Sequence, residues 1–292
     1  MSSSKQIPIG VTLGDPSGIG PEIITKAIPQ VQKRHPQIHF HLIGSTKGVT
    51  PGRPGKKSAL LALEALEESA RLLRSGQISG VVNGPVWKEG LMKLGFRYPG
   101  QTEFYAHCAG LKEEDVTMIM YSPKITVGLV TTHCSLKQAV RRVNEKRLRR
   151  ATRQLHDFFL SLGTRNPKLA VAGLNPHAGE AGAFGVEELE LISPLVKKMK
   201  KEMKNLVGPV SPDAVFAECW QGKWDGVVSL YHDQGLIPFK LVAFEEGVNT
   251  TGGLPFVRTS PDHGTAFDLA GKGIASEKSM VAALELAVLR LT

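Results

Sequence analysis

The chain contains no apolar run long enough to cross a lipid bilayer, and its first residues lack the hydrophobic core of a secretory signal. Cysteine is also scarce, because only three are present and no two of them form a Cys-x-x-Cys pair. A disulfide framework and a zinc site built from thiolates are therefore not expected. These absences predict a cytoplasmic protein with reduced thiols and no membrane partner.

Aromatic residues make up only 6% of the chain, and Asp and Glu number 27 against 36 Lys and Arg, which gives a net charge of +9. Much of the positive excess lies in residues 137–153 and 197–201, where apolar residues recur with helical spacing. No aromatic side chains are interleaved there to stack on bases, so solvated helix faces explain both segments better than a nucleic-acid surface. We expect no nucleic-acid partner, although a positive field could attract an anionic substrate.

Strand-like apolar runs alternate with amphipathic helical segments along the chain. A strand at residues 7–13 precedes a helix that begins at Pro21, and a strand at 38–43 precedes a helix at 59–73. The 292 residues suffice for one large or two ordinary domains. The predicted class is α/β with mostly parallel strands.

Three of the apolar runs lead into a histidine. The runs and their histidines are residues 125–130 with His133, residues 169–174 with His177, and residues 226–230 with His232. Ligands of an open parallel sheet bind beyond the carboxyl ends of its strands, so these histidines are candidate site residues. A single histidine at a strand end is more often structural, but three neutral imidazoles could hold a divalent metal and leave positions for water or substrate. Their separations give no local signature, so a metal site depends on the sheet bringing them together.

Two glycine-rich segments resemble phosphate-binding loops only in part. Residues 14–22 could hold a phosphate or cofactor at a helix N-terminus, or could be a tight turn without a ligand. Ile23 stands where the dinucleotide fingerprint has its last glycine. In a second segment, Thr50 and Lys57 replace the first glycine and the final Ser or Thr of a Walker loop. We therefore reject the Walker interpretation.

Six motifs spread along the chain form a recognisable set. They are residues 14–22 (GDPSGIGPE), 83–86 (NGPV), 131–133 (TTH), 173–180 (GLNPHAGE), 231–235 (YHDQG) and 258–266 (RTSPDHGTA). Together, and over almost the whole chain, they resemble the 4-hydroxythreonine-4-phosphate dehydrogenase family of pyridoxal phosphate biosynthesis. The resemblance implies two α/β/α domains with mostly parallel sheets and an active site in the interdomain cleft. We assign residues 1–99 with 240–292 to the first domain, which carries the cofactor loop, and residues 100–239 to the second.

The resemblance further implies a homodimer whose partner completes the site, one divalent cation (Zn, Mg or Co) per site, and NAD or NADP as cofactor. The cofactor residues it implies match the adenosine-binding loop of the wider β-decarboxylating dehydrogenases. The implied residues are, for the metal, His133, His177 and His232; for the substrate, Gln101, Thr102, Lys240, Asn249 and Arg258; for the cofactor, His263, Gly264, Thr265, Ala266 and Asp268.

The implied reaction is NAD(P)- and metal-dependent oxidation of 4-phosphohydroxy-L-threonine, with decarboxylation to 3-amino-2-oxopropyl phosphate. A divalent metal would acidify the substrate alcohol and stabilise the enolate that decarboxylation leaves. Lys240 and Arg258 could bind the substrate phosphate and carboxylate, and Asp233 beside His232 could transfer a proton or support a metal ligand. Asp233 and Lys240 are the catalytic candidates. Without the family, a surface ion pair would be the favoured explanation for each of these three charges.

Two departures from the family pattern bear on the substrate. Gln101 stands where the family usually has a histidine that contacts substrate, and the segment 44–57 is shorter than expected. One alternative is therefore a catabolic dehydrogenase of a related phosphorylated hydroxy acid, such as 4-phospho-threonate or 4-phospho-erythronate. A second alternative is a catalytically silent relative that keeps the metal and ligand sites.

Overall fold

The computed structural model describes residues 6–292, in which strands and helices alternate. The strands are β1 (Ile7–Thr12), β2 (Ile38–Ile43), β3 (Gly80–Asn83), β4 (Thr117–Tyr121), β5 (Thr126–Leu129), β6 (Leu169–Ala172), β7 (Leu206–Val210), β8 (Gly226–Ser229), β9 (Val248–Gly252) and β10 (Val257–Pro261). The α-helices are α1 (Gly20–Arg34), α2 (Lys56–Arg74), α3 (Lys88–Lys93), α4 (Gln101–Cys108), α5 (Leu136–Arg142), α6 (Glu145–Ser161), α7 (Ser193–Met199), α8 (Pro212–Trp220), α9 (His232–Ala243) and α10 (Lys278–Leu291). This alternation confirms the predicted α/β class.

The elements that sequence pattern did not predict are β7, α8, α9, β9 and β10. β7 contains Gly208 and Pro209, both of which lower the propensity for a strand. β9 and β10 are buried almost throughout, yet they carry Asn, Thr, Arg and Ser in place of an apolar run. Because these buried strands carry polar side chains, a search for apolar runs does not detect them. The same polar side chains indicate a candidate ligand site.

The basic segment at 137–153 forms two helices instead of one. Asn144 caps α6, because its side-chain oxygen accepts a hydrogen bond from the Arg147 amide at 3.0 Å. Arg149 pairs with Glu145 at the helix surface, as expected for a solvated face. Arg150 departs from that expectation, because its guanidinium donates to the carbonyls of Glu114 and Val130. Burial lowers the pKa of Arg150 to about 10, so this cation serves the fold.

The chain divides into two compact units. Unit 1 comprises the described residues up to Lys112 together with Glu245–Thr250 and Leu254–Thr292, and unit 2 comprises Glu113–Phe244 and Thr251–Gly253. The domain changes expected at 99/100 and 239/240 thus lie earlier than the divisions in the structure. Helix continuity explains both differences: α4 buries Phe104 and Tyr105 in the core of unit 1, and α9 runs unbroken past Lys240.

Unit 1 contains strands in the order β2-β1-β3-β10-β9, and it includes β9 as far as Thr250. The first four are mutually parallel, with Val11 opposite Val82 and Arg258 opposite Val81, whereas β9 pairs antiparallel with β10. The parallel strands therefore deliver Asn83, at the end of β3, and Arg258, near the start of β10, to one local region.

Unit 2 contains strands in the order β4-β5-β8-β6-β7. β8 pairs in parallel with both β5 and β6, β7 pairs in parallel with β6, and only β4 runs antiparallel. Apolar side chains such as Val127, Val227 and Ala170 fill the core between these strands and the helices. The three strands that lead into the predicted histidines are thus neighbours whose carboxyl ends share one edge, which we call the histidine edge.

Within residues 6–292, none of the helices combines the length and the apolar character needed to cross a membrane.

Candidate functional site

An arginine lies inside unit 1 without a carboxylate beside it. Arg258 is only 3% exposed. Its Nε donates to Asn83 Oδ1 at 2.9 Å, and its Nη1 donates to Asn249 Oδ1 at 3.0 Å and to Thr102 Oγ1 at 3.4 Å. Neutral oxygens therefore hold the guanidinium in place.

The charge of Arg258 lacks a counter-charge within residues 6–292, because no carboxylate comes within ion-pair distance of it. Burial lowers the pKa of its guanidinium to about 10, while Tyr105 and Glu103 oppose the shift. The group still carries its charge at neutral pH. A buried, protonated and unbalanced guanidinium favours an anionic ligand, and a carboxylate or phosphate group matches its geometry.

Gln101 and Thr102 open α4, where the extended backbone of Gly100 leads into the first turn. The Gln101 Nε2 donates to the Gly84 carbonyl at 3.2 Å. Its Oε1 is shielded from water, and no group within residues 6–292 donates a hydrogen bond to it. Since a carbonyl oxygen only accepts, this atom suits a hydroxyl or ammonium group of a ligand. Four predicted substrate residues, Gln101, Thr102, Asn249 and Arg258, thus share one region of unit 1.

Sequence reasoning missed the residues that support Arg258. Asn83 was noted only as part of a motif, although it ends an apolar strand just as the predicted histidines follow theirs. Tyr105 is fully buried and lies 2.8 Å from Asn83 Nδ2, which donates to its hydroxyl. Burial raises the pKa of Tyr105 to about 12, against the lowering effect of its hydrogen bonds with Ser69 and Asn83. Asn83 could have been identified by the same criterion as the histidines, which is a polar residue at the end of an apolar strand. Nothing in the local sequence marks Tyr105 or Ser69.

The predicted cofactor loop follows β10 in unit 1 and packs on the glycine-rich turn before α1. The Thr265 carbonyl accepts a hydrogen bond from the Ile19 amide at 2.9 Å. A side chain at Gly18 would come within 2.8 Å of that carbonyl, so the approach requires glycine. Gly18 therefore has a packing role, which the sequence alone left open. Of the predicted cofactor residues, Gly264 and Asp268 are exposed, while Ala266 adopts a φ of 41°.

His263 in this loop has a defined tautomer. Its Nδ1 lies 3.0 Å from the Gly264 carbonyl, which can only accept, so Nδ1 carries the proton. The opposite nitrogen, Nε2, is then an acceptor, and it is shielded without a hydrogen-bond partner in residues 6–292. A donor such as an exocyclic amine of a bound nucleotide would suit it.

The histidine edge of unit 2 brings two of the three predicted metal ligands together. The ring centroids of His133 and His232 are 5.5 Å apart. The Nδ1 of His232 lies 2.7 Å from Asp233 Oδ1, so the carboxylate accepts its proton and the Nε2 lone pair points away for a ligand. His177 lies elsewhere, against Phe184 at a centroid distance of 6.1 Å. Within residues 6–292, no three His, Cys, Asp or Glu side chains meet in an arrangement that could hold a metal.

His177 begins a left-handed turn. Four non-glycine residues of this turn have positive φ between 40° and 54°, a region that costs L-residues energy: His177, Ala178, Glu180 and Ala181. Glu188, in a short π-helical turn before α7, anchors the start of this loop. Its carboxylate accepts hydrogen bonds from the amides of Leu174 at 2.6 Å and Asn175 at 2.8 Å.

Glu188 is 2% exposed and nevertheless ionised. Burial acts to raise the pKa of its carboxyl, but the hydrogen bonds from Asn175 and from the backbone outweigh burial and lower the pKa below its ordinary value. The buried charge therefore holds the loop in its strained shape.

A cavity of about 1090 Å³ adjoins the histidine edge. His133, His232 and Asp233 line it, and apolar side chains of α8 and α9, including Trp220 and Leu241, form much of the remaining wall. Lys240 lies in the same helix as His232, in unit 2 and not in the first domain as expected.

The family model described as pyridoxal phosphate biosynthetic protein PdxA matches residues 16–287. The chain belongs to this family. A 4-hydroxythreonine-4-phosphate dehydrogenase of Beijerinckia indica is 41% identical, over 96% of this chain and 94% of that protein. A D-threonate 4-phosphate dehydrogenase of Pectobacterium atrosepticum is 35% identical, over 96% and 98%. The crystal structure of the Klebsiella pneumoniae 4-hydroxythreonine-4-phosphate dehydrogenase matches with a TM-score of 0.82 at 36% identity, over 98% of this chain and 100% of that one.

PdxA membership confirms the resemblance seen in the motifs and the expectation of a dehydrogenase. It also implies use of NAD(P), whose fit can be judged from the residues present. The shielded acceptor of His263 and the open space beside Gly264 suit a nucleotide. For a divalent metal, the adjacent imidazoles of His133 and His232, one of them backed by a carboxylate, are a suitable donor pair.

Proposed function

We propose that this PdxA-family protein oxidises 4-phosphohydroxy-L-threonine with NAD or NADP and releases carbon dioxide to give 3-amino-2-oxopropyl phosphate. The observation that carries the proposal is the uncompensated Arg258, surrounded by Asn249, Thr102 and, through Thr102, Gln101. The substrate is an anion with hydroxyl and ammonium groups. An unbalanced guanidinium and a free carbonyl acceptor recognise those features together.

A divalent cation, Zn, Mg or Co, would be held by His133 and His232, with His177 as the third ligand once its loop moves or a second subunit supplies it. The chemistry that a cation held there would supply is acidification of the substrate hydroxyl and stabilisation of negative charge on oxygen. Asp233 fixes the tautomer of His232 by accepting from Nδ1, which keeps the ligand nitrogen unprotonated.

The chain's own side chains would bind and orient the substrate. Arg258 binds its carboxylate or phosphate through the remaining guanidinium N–H groups. Gln101 accepts a hydrogen bond from its hydroxyl or ammonium. Lys240 supplies a mobile cation for the other anionic group, and Asp233 is the candidate for moving a proton.

NAD or NADP would occupy the loop that contains His263, Gly264, Thr265, Ala266 and Asp268. His263 Nε2 would accept a hydrogen bond from the nucleotide. A dinucleotide bound there would supply the hydride acceptor for oxidation of the substrate hydroxyl.

A second candidate function is oxidation of D-threonate 4-phosphate or a similar phosphorylated hydroxy acid. Gln101 favours this candidate, because it replaces the histidine usual in 4-hydroxythreonine-4-phosphate dehydrogenases. The Pectobacterium relative named for D-threonate 4-phosphate is also similar over nearly the whole chain. The two substrates differ only in whether the α-carbon bears an ammonium or a hydroxyl group.

We further propose a homodimer in which a second copy covers α8 and α9. Helix α9 buries Leu236 and Phe239 against its own unit, yet Ile237 and Leu241 on the other side are 67% and 87% exposed. A helix that is apolar on both sides requires a second covering surface. The exposed side chains border the cavity beside His133 and His232, so a second copy there would complete the histidine edge.

Sedimentation at assay concentration tests the dimer. The wild-type protein is expected as a single dimeric species, and Leu241→Glu as a folded monomer with little activity. Leu289→Glu, on the half-exposed side of α10, is the matched control and should remain dimeric. A fully active wild-type monomer would refute the shared site.

A substrate panel tests the reaction. Reduction of NAD and of NADP is followed with 4-phosphohydroxy-L-threonine, D-threonate 4-phosphate and 4-phospho-erythronate, each with added Mg, Zn or Co. We expect the highest kcat/KM with 4-phosphohydroxy-L-threonine, together with stoichiometric carbon dioxide. A higher value with D-threonate 4-phosphate selects the second candidate. Ligand and metal binding without reduction of either dinucleotide would identify a silent relative.

A further inference from the structure

Arg258 is fixed by neutral groups, although a buried arginine is usually paired with a carboxylate. Its hydrogen-bond acceptors within residues 6–292 are the oxygens of Asn83, Asn249 and Thr102, all uncharged. An aspartate in place of either asparagine would offer an oxygen at the same distance. It would also neutralise the guanidinium and leave less positive charge for a ligand.

The orientation of the Asn83 amide follows from a chain of hydrogen bonds that begins in α2. The Ser69 hydroxyl donates its one proton to the Leu66 carbonyl at 2.7 Å. The Tyr105 hydroxyl lies 2.6 Å from Ser69 Oγ and must therefore donate to it. Tyr105 then has only its lone pairs left, and it accepts from Asn83 Nδ2 at 2.8 Å.

The other end of the Asn83 amide is thereby directed to Arg258. The second proton on Asn83 Nδ2 goes to Thr12 Oγ1 at 3.2 Å, so both amide protons are used. The Oδ1 faces Arg258 Nε at 2.9 Å. Rotating the amide by half a turn would bring N–H against N–H at Arg258 and would turn Oδ1 toward the lone pairs of Tyr105, so that rotamer is excluded.

We propose that the chain Ser69–Tyr105–Asn83 positions Arg258 while leaving its charge uncompensated, so that the charge is reserved for the anionic group of the substrate. Asn83 and Tyr105 are positioning residues that act through Arg258. This inference rests on the proposed function for the identity of the anion, but the reserved charge can be tested with any small anion.

Asn83→Asp is the decisive variant, because it keeps the shape of the side chain and supplies the missing counter-charge. The Tyr105 and Thr12 hydroxyls, which accept from Asn83 Nδ2 in the wild type, can rotate to donate to the new carboxylate once Ser69 donates to Tyr105 instead of Leu66. With the new ion pair to Arg258, this should keep the midpoint of thermal unfolding close to that of the wild type. Binding of 4-phosphohydroxy-L-threonine and of D-threonate 4-phosphate, measured by calorimetry without dinucleotide, should weaken at least about tenfold. Asn205→Asp, at an exposed asparagine that donates to the Asn166 carbonyl, is the matched control and should change neither property.

Tyr105→Phe tests the chain itself, since it removes one hydroxyl and keeps the ring. We expect about three- to tenfold weaker binding of the same two acids, because Asn83 Nδ2 loses its acceptor and its Oδ1 is less well fixed. In an Arg258→Lys background, which lacks the Nε donor, the same change should cost no further affinity. Tyr121→Phe, a partly buried tyrosine that packs against Phe158, is the control for loss of a hydroxyl.

The outcomes separate this inference from the proposed function. Binding that survives Asn83→Asp, or that falls only in parallel with thermal stability, overturns the inference. An equal loss from Tyr105→Phe in both backgrounds also overturns it, because the effect would then bypass Arg258. If the wild-type protein binds neither acid, the proposed function fails. The inference is then decided by whether inorganic phosphate raises the unfolding midpoint of the wild type but not that of Asn83→Asp.

Discussion

The region around Arg258 in unit 1 and the histidine edge in unit 2 are built in contrasting ways. Around Arg258, the supporting amides and hydroxyls already have their partners, and Arg258 is 3% exposed. At the histidine edge, two imidazoles lie together, while His177 sits on a strained turn against Phe184. The hydrogen bonds that position Arg258 are thus already formed without a ligand, whereas the histidine edge brings together only two of the three predicted metal ligands.

The difference follows from what each ligand can contribute. Binding an anion gains most when the cation is fixed in advance, because no side chain must then be ordered at the moment of binding. A divalent metal forms strong bonds to each imidazole, so it can itself draw a loop or a second subunit into place. We therefore expect unit 1 to respond to mutation as a rigid site and unit 2 as a site assembled on binding.

The largest expected effect is loss of a metal ligand. His133→Ala and His232→Ala should lower the affinity for Zn or Co by more than about 100-fold, beyond the 10–100-fold that loss of a supporting partner costs. Catalytic activity should fall with it, as it should when a chelator removes the metal from the wild type. The measurement is metal content and titration of protein purified without a histidine tag.

His39→Ala, at an exposed histidine of β2, is the matched control and should bind metal normally. Undiminished metal content and activity in both His133→Ala and His232→Ala would show that the histidine edge is not a metal site. The comparison between a rigid anion site in unit 1 and a metal site assembled on binding in unit 2 would then no longer hold.

The next largest effect concerns two arginines in different settings. Arg258→Ala should lower kcat/KM by about ten- to a hundredfold, since a lost charge-assisted hydrogen bond costs about 1.5–3 kcal/mol. Arg149→Ala removes a surface ion pair with Glu145, which water and salt screen so that it contributes little to stability. Its kcat/KM should stay within about twofold of the wild type. Equal damage from both variants would mean that functional and solvated charges have been confused.

A smaller effect should follow from releasing the loop that carries His177. Glu188→Gln can keep one oxygen for the backbone amides of Leu174 and Asn175, but it then places its N–H₂ against Asn175 Nδ2, which donates to the other carboxylate oxygen in the wild type. We expect a loss of about 1–3 kcal/mol in the free energy of unfolding and a roughly tenfold lower metal affinity. Urea unfolding and cobalt titration measure the two effects.

Glu190→Gln, two residues along and exposed, should change neither quantity. An increase in metal affinity in Glu188→Gln would instead reverse the expected role of the loop. It would show that the strained turn opposes metal binding and that the buried carboxylate holds His177 back.

The histidine edge was predictable because its signal is local. Buried strands can be recognised from their apolar composition, and a histidine directly after such a strand marks the edge at which ligands bind. The register of β5, β8 and β6 then places these ends side by side. The conformation of the loop after His177 was not predictable, since it depends on Glu188, which lies 11 residues farther along the chain.

The surroundings of Arg258 show what sequence pattern cannot supply. Asn83 and Arg258 are 175 residues apart and meet only because β3 and β10 pair in one particular register. The support from Tyr105 depends on how α4 packs, and nothing in its local sequence distinguishes it from a core aromatic. The family resemblance identified Arg258 and its neighbours Thr102 and Asn249. Only the hydrogen bonds of the structure showed that all the acceptors of Arg258 are uncharged.

The smallest expected effect, and the one that most sharpens the account of unit 1, is a change of substrate preference in Gln101→His. In the wild type the Gln101 Nε2 donates to the Gly84 carbonyl, so Oε1 can only accept from the substrate, at any pH. An ammonium and a hydroxyl both satisfy it, and the preference between 4-phosphohydroxy-L-threonine and D-threonate 4-phosphate should not vary between about pH 5.5 and about pH 8.

A histidine at this position could accept when neutral but only donate when protonated, with an ordinary pKa of about 6.5. The protonated ring can still donate to the α-hydroxyl of D-threonate 4-phosphate, whereas it repels the α-ammonium of the amino acid. We therefore expect the ratio of kcat/KM values in Gln101→His to shift roughly three- to tenfold toward D-threonate 4-phosphate as the pH falls through that range, with metal content unchanged. If the ratio is the same in both proteins at every pH, position 101 does not contact the α-substituent, and the glutamine then gives no reason to prefer one substrate over the other.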